Sequence, residues 1–95
     1  MFARVVTGQF SPDKLDEAIQ LWQEMVVPSV QQQKGFKNAR FLVNRKTGKV
    51  TSMGLWETEA DLLASIQWNQ GQLDKFVNLV IVPPIVEHYE LAGEV

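Results

Sequence analysis

Cysteine is absent from this sequence, and histidine occurs once, at position 88. Without thiolates there is no disulfide framework, no cysteine nucleophile and no Cys-based zinc, iron–sulfur or haem-thiolate site. A single imidazole does not supply a ligand set, so no metal centre is expected. No apolar run approaches the ~18 residues of a membrane-spanning helix. The opening MFARVVTGQF lacks the charged-then-apolar order of a signal peptide, so a cytoplasmic location with no membrane partner is expected. Basic residues are also few: 9 Lys+Arg stand against 11 Asp+Glu, for a net charge of −2. Only RKTGK (45–49) clusters them, as a polar hairpin tip. Nucleic-acid binding requires a basic face, and none is expected here. The sequence likewise carries no nucleophile elbow, phosphate-binding glycine loop or paired-carboxylate arrangement.

What remains is an ordinary globular composition. The 95 residues, 45% hydrophobic and 21% charged, suit one small domain spanning 1–95. FARVVTGQF (2–10) is rich in β-branched and aromatic residues and reads as a strand. Ser11-Pro12 then places a hydroxyl N-cap before a proline at the first helical position. Leu15, Ala18, Ile19, Trp22, Met25, Val26 and Val30 follow at helical spacing. Pro28 is expected to kink that helix or split off its last turns, and Gly35 to cap it. FKNARFLVN (36–44) and KVTSMGLWE (49–57) read as strands joined by RKTG, a glycine-containing turn. Thr58 and Asp61 have capping-box spacing and start a second helix through Leu62, Leu63 and Ile66. WNQGQ (68–72) is expected to interrupt it. Leu73, Phe76, Val77, Val80 and Ile81 resume helical spacing until Pro83-Pro84 stops them, leaving IVEHYEL (85–91) as the last strand. The order β-α-β-β-α-β predicts an α+β, ferredoxin-like fold: a four-stranded antiparallel sheet with helices on one face.

The strands are apolar on both faces. Phe2, Val6 and Phe10 oppose Ala3 and Val5; Gly54 and Trp56 oppose Met53 and Leu55; Val86 opposes Tyr89 and Leu91. Two helices cover only one face of a four-stranded sheet. The other is expected to meet a second copy of the chain, in a homodimer formed through the sheet face.

Several features resemble one family, the antibiotic-biosynthesis-monooxygenase-like domains of the dimeric α/β-barrel superfamily. They are the proline in VVPSV (26–30), Gly35-Phe36, Thr47-Gly48-Lys49, the run LWETEADL (55–62) and the closing VPPIVEHYEL. The resemblance implies a dimeric α/β barrel with a cavity in each subunit between sheet and helices. In active relatives, an electron-rich phenol, anthrone or hydroquinone is oxidised there by dioxygen without metal or flavin. The family's strand tryptophan matches Trp56. Ser52 stands where oxygenase members often carry an asparagine, and Ser65 where a histidine is common. Haem-degrading members need an asparagine in strand 1, where this chain has Thr7 or Gly8, and a helical histidine that residues 69–81 lack. Haem degradation is therefore disfavoured. The resemblance implies a cofactor-independent monooxygenase acting on a small aromatic or quinol, with a non-catalytic ligand-binding or structural dimer module as the alternative.

Each candidate residue has two readings. Trp56 is either a stacking wall for a flat ligand or a core residue sealing the strand–helix corner. His88, the only side chain that ordinarily titrates near neutrality, is a general base or a strand histidine satisfied by hydrogen bonding or solvent. Arg40 holds an anionic ligand oxygen, or extends to the rim or pairs with a carboxylate across the interface. Trp22 lines a pocket or fills the core. Trp68, before the polar NQGQ, belongs to a mobile flap or covers the core edge. Tyr89 is expected to pack at a dimer interface or barrel wall.

Overall fold

Bulky residues at alternate positions make Phe2–Phe10 a strand, β1, and it is the strand on which the rest is assembled. The structure, a computed structural model, describes residues 1–95. The other strands are β2 (Phe36–Val43), β3 (Lys49–Trp56) and β4 (Val80–Glu90), in the spatial order β2-β3-β1-β4 with every pair antiparallel. The fold is the expected α+β, ferredoxin-like one. β1 lies inside the sheet, while β2 and β4 are its edges.

The helices cover one face. After Ser11, a 3₁₀ turn (Pro12–Lys14) leads into α1 (Leu15–Leu21), a π-helical turn (Trp22–Val26) and α2 (Val27–Val30). The Val27 N–H reaches back to the Trp22 carbonyl, an i→i+5 bond. This turn accounts for how Pro28 is accommodated. Proline has no N–H, and its ring crowds the carbonyl four residues earlier, on Glu24. Widening the preceding turn relieves the crowding without breaking the helix. Beyond β3, Thr58 caps α3 (Glu59–Ala64) by accepting the Asp61 N–H at 3.0 Å. α4 (Ile66–Asp74) follows directly, with buried Ser65 at the joint.

Two expectations for this region are corrected. WNQGQ does not interrupt the second helical segment but lies within α4, and the helix ends at Asp74 instead of continuing to residue 81. The chain leaves α4 at Asp74, turns through 75–79 and enters β4 at Val80, so that Pro83-Pro84 lie inside a strand. An edge strand needs its N–H groups on one side only, which is why it tolerates proline. The register also shifts here: Thr7 pairs with Ile85 but Gln9 with Val82, leaving Gly8 opposite the two prolines in a bulge. A Cβ on Gly8 would lie 3.6 Å from both Pro84 Cα and the Val82 carbonyl oxygen, an ordinary van der Waals contact.

Register assigns the faces. Arg4 pairs with Gly54 and His88, and Val6 with Ser52 and Val86, so these rows face the helices together with Phe2, Phe10 and Trp56. The core forms two clusters, Phe10, Leu15, Ala18, Val26 and Phe76 in one and Val30, Trp56 and Leu62 in the other, with Trp68 packed against both. The opposite face carries Leu42, Ile85 and Tyr89 at 57%, 59% and 49% exposure.

Candidate functional site

Between the inner sheet face and the helices lies a cavity of about 420 Å³, within the size range of small-molecule sites. Its wall is largely apolar: Val6 and Phe10 from β1, Phe41 from β2, Val86 from β4 and Trp22 from the helical segment. Trp22 and Phe41 stack with ring centroids 5.5 Å apart and planes 23° from parallel, which presents a flat aromatic surface. The Ser52 hydroxyl and the Asn69 and Gln72 amides add polar groups. The last two show why α4 lacks a clean apolar period: part of its inward face borders a cavity rather than packed core.

A polar cluster occupies the adjoining row of the sheet. Arg4 is only 2% exposed. Its Nε–H donates to His88 Nε2 at 3.2 Å and its Nη2 to the Leu62 carbonyl at 3.1 Å, while Nη1 is buried with no acceptor. The guanidinium carbon stands 5.0 Å from the centre of the Trp56 ring, a cation–π contact. Trp56, also 2% exposed, keeps its own Nε1–H buried and without an acceptor. Burial pushes Arg4 down to about 10, which leaves it cationic at neutral pH. Burial, and then the charge of Arg4, lower His88 from its ordinary 6.5. Period-two alternation was the signal for Arg4, since it shares a face with Phe2, Val6 and Phe10.

The antibiotic biosynthesis monooxygenase family model matches residues 1–72. The chain belongs to this family. Among curated proteins it is 27% identical over 93 residues to the uncharacterized protein Rv2557 of Mycobacterium tuberculosis, covering 98% of this chain and 42% of that protein. The uncharacterized protein MT2634, from another strain of that organism, matches equally. The chain thus spans about two-fifths of the length of these relatives. Among solved structures, a monooxygenase from the gene ActVA-Orf6 of Streptomyces coelicolor, in complex with nanaomycin D, superposes with a TM-score of 0.80 at 18% identity, covering 99% of this chain and 89% of that one. The NE2512 protein of unknown function from Nitrosomonas europaea gives 0.79 at 16%, covering 98% and 90%. At these identities the likeness is one of fold.

Within this antibiotic biosynthesis monooxygenase domain, the expected site residues separate into groups. Ser52 and Trp22 border the cavity. Trp56 and His88 belong instead to the adjoining Arg4 cluster, Trp56 buried and His88 exposed along the edge strand with Nε2 turned toward Arg4. Trp68 lies on α4 rather than in a loop, and its Nε1–H donates to Ser29 Oγ of α2 at 2.6 Å. Arg40 is exposed, and its pairing with Met53 puts it across the sheet from the Ser52 row. Sequence reading missed Arg4, Gly54, Asn69 and Gln72.

Proposed function

We propose that this domain is a cofactor-independent monooxygenase that takes a small aromatic or quinol-type substrate into the cavity and oxidises it with dioxygen. The observation carrying this reading is the cavity itself, apolar, aromatic on one wall and supplied with few polar groups. Such a site desolvates a flat, electron-rich ring and holds it in a fixed orientation. For an anthrone-type substrate the chemistry balances with no other reductant: a ring CH₂ becomes C=O, the second oxygen atom leaves as water, and the substrate supplies all four electrons. Family membership and the fold likeness to a monooxygenase support the reading.

One observation favours a second reading. The lone pair of the only histidine is engaged by Arg4, so His88 in this arrangement is no free base. A module that binds the same ligand without turnover fits that geometry. On either reading the exposed apolar face around Leu42, Ile85 and Tyr89 pairs with a second copy of the chain.

Dioxygen consumption by the purified protein with a panel of hydroquinones and anthrone-type phenols, with and without chelator, separates the readings. Uptake that survives chelation and drops when Trp22→Ala opens the cavity wall is the expected result. No protein-dependent uptake, alongside measurable binding of the same compounds, would favour the binding module.

A further inference from the structure

The inward stripe of the second helical segment changes character where it crosses the cavity. Leu62, Ser65, Asn69, Gln72 and Phe76 recur at spacings of three and four, and all are buried except Asn69, which is half-buried. The ends of the stripe pack into the core, Leu62 in one cluster and Phe76 in the other. Ser65 is satisfied locally, its hydroxyl donating to the Leu62 carbonyl at 2.6 Å. The two amides, Asn69 and Gln72, border the cavity instead.

Gln72 is the more constrained of the two. It is 9% exposed, and its amide makes one hydrogen bond, in which Oε1 accepts from Lys75 Nζ at a long 3.4 Å. An ammonium only donates, so it holds Oε1 on its own side and leaves the Nε2 hydrogens unpaired. A buried amide donor without a partner is disfavoured, and an apolar side chain at this position would complete the stripe. Arg4 Nη1 and Trp56 Nε1 are sealed away from the cavity, whereas Gln72 forms part of its wall. Its free donor is therefore within reach of a ligand.

The charge of the wall is a second, independent feature. No Lys, Arg or His borders the cavity, and its one carboxylate is the exposed Asp74, the last residue of α4. A helix C-terminus is the negative end of the helix dipole. Both repel an entering anion, and an anion taken out of water there meets no opposite charge in the wall.

We infer that the cavity selects an uncharged aromatic ketone, with Gln72 Nε2–H donating to the carbonyl oxygen while the ring lies against Trp22 and Phe41. The inference rests on the cavity being a ligand site, as proposed above, and it names the charge of the ligand, its functional group and the residue that reads it. A carbonyl oxygen only accepts, which matches a donor that the chain leaves free. An anthrone-type ring carries this group before oxidation and after it, so one contact holds substrate and product alike. Gln72 is thus a specificity-determining residue and takes no part in proton transfer.

The test uses the ¹⁵N-labelled full chain and three probes built on one ring. They are 2-acetylnaphthalene, its isostere 2-isopropenylnaphthalene, in which CH₂ replaces the carbonyl oxygen, and 2-naphthoate, which is ionised at a working pH of about 7.5. Gln72→Met keeps the side-chain length and helix propensity, and it identifies the Gln72 amide signals by their loss. In wild type the ketone is expected to move those signals and the alkene to leave them in place, with naphthoate bound about tenfold more weakly than the ketone. In Gln72→Met the ratio of ketone to alkene affinity falls about tenfold, a comparison from which the probes' own hydration cancels. Gln72→Glu, whose carboxylate repels the carbonyl oxygen, lowers the same ratio and carries the test if the methionine variant does not fold.

An unchanged ratio in the folded variants, Gln72 signals that respond alike to ketone and alkene, or absence of ketone binding would overturn the role of Gln72. Naphthoate bound as tightly as the ketone would overturn the selection of an uncharged ligand. Ketone recognition through Gln72 without dioxygen uptake would sink the oxygenase and leave the inference standing; uptake by a protein whose ratio ignores Gln72 would do the reverse.

Discussion

Arg4 in the first strand and His88 in the last are joined by a 3.2 Å hydrogen bond from Nε–H to Nε2, across 84 positions of sequence. A guanidinium has donors only. The imidazole nitrogen facing it therefore presents a lone pair, and the ring is neutral with its proton on Nδ1. Protonating His88 would set an N–H against a cation and break the bond.

This arrangement gives a pH dependence of defined sign. Burial, and secondarily Arg4, place the His88 pKa below 6.5 in the folded state. Between the folded value and 6.5 the unfolded chain binds more protons, so stability rises with pH across that window. The contribution is complete above about pH 6.5 and is lost as the pH falls through the folded value. Urea unfolding of wild type is expected to show a falling midpoint as the pH is lowered below this point. In His88→Gln, which keeps an acceptor but does not titrate, the decline should be shallower. Parallel curves for the two proteins would contradict the assignment.

Gly54→Ala tests the packing of the indole. The added methyl meets the Trp56 ring at 2.8 and 3.0 Å, so the ring must shift. A loss of about 1–3 kcal/mol is expected, as for other overpacked cores. The near-ultraviolet circular dichroism of the tryptophans should change with it. A variant as stable as wild type, with an unaltered spectrum, would show that the ring has room.

Trp56 itself is a core residue, 2% exposed and in edge-to-face contact with Phe36 at 5.8 Å. Trp56→Ala is expected to cost about 3–5 kcal/mol by chemical denaturation. Trp56→Phe, which keeps a ring and deletes a donor that the chain does not satisfy, should cost markedly less. Equal losses would mean that the indole N–H is bonded and stabilising.

The apolar outer face is expected to hold a dimer together. Analytical ultracentrifugation should give twice the chain mass for wild type, and a shift toward the monomer for the double variant Leu42→Glu, Ile85→Glu, whose side chains are 57% and 59% exposed in the single chain. A monomeric wild type would refute the proposed pairing.

Thr58→Ala removes the cap of α3, where the hydroxyl accepts the Asp61 N–H at 3.0 Å. About 1 kcal/mol should be lost, with little effect on ligand binding, since Thr58 is exposed and does not border the cavity. A large drop in affinity would instead place α3 in the binding site.

The features legible in the sequence are those encoded over a few residues. Pro12 opening a helical period, the Gly48 turn between two strands, the Thr58–Asp61 spacing and the alternation of FARVVTGQF each give the same local answer as the fold, and together they set the order of elements. The Ser11 hydroxyl, expected as a cap, makes no cap hydrogen bond and donates to Asp13 instead. The reading failed where a local signal meant something else in its tertiary setting. Pro83-Pro84 looked like a helix stop, yet β4 is an edge strand whose register with β1 shifts between Thr7 and Gln9. WNQGQ looked like a helix break, yet its polar residues face a cavity.

The candidate site divides along the same line. Trp22 and Ser52 could be named from sequence because one sits on a helical stripe and the other matches a family position. Arg4 could not, although its face was readable, because a charge in strand 1 says nothing about what will cover it. Sequence alone determined the βαββαβ order and which strand residues share a face, because capping, turn geometry and side-chain alternation act between near neighbours. Only the tertiary structure decided that Arg4 is buried without a counter-ion beside Trp56 and His88. Burial and charge compensation depend on groups brought together from β1, β3, β4 and α3, far apart along the chain.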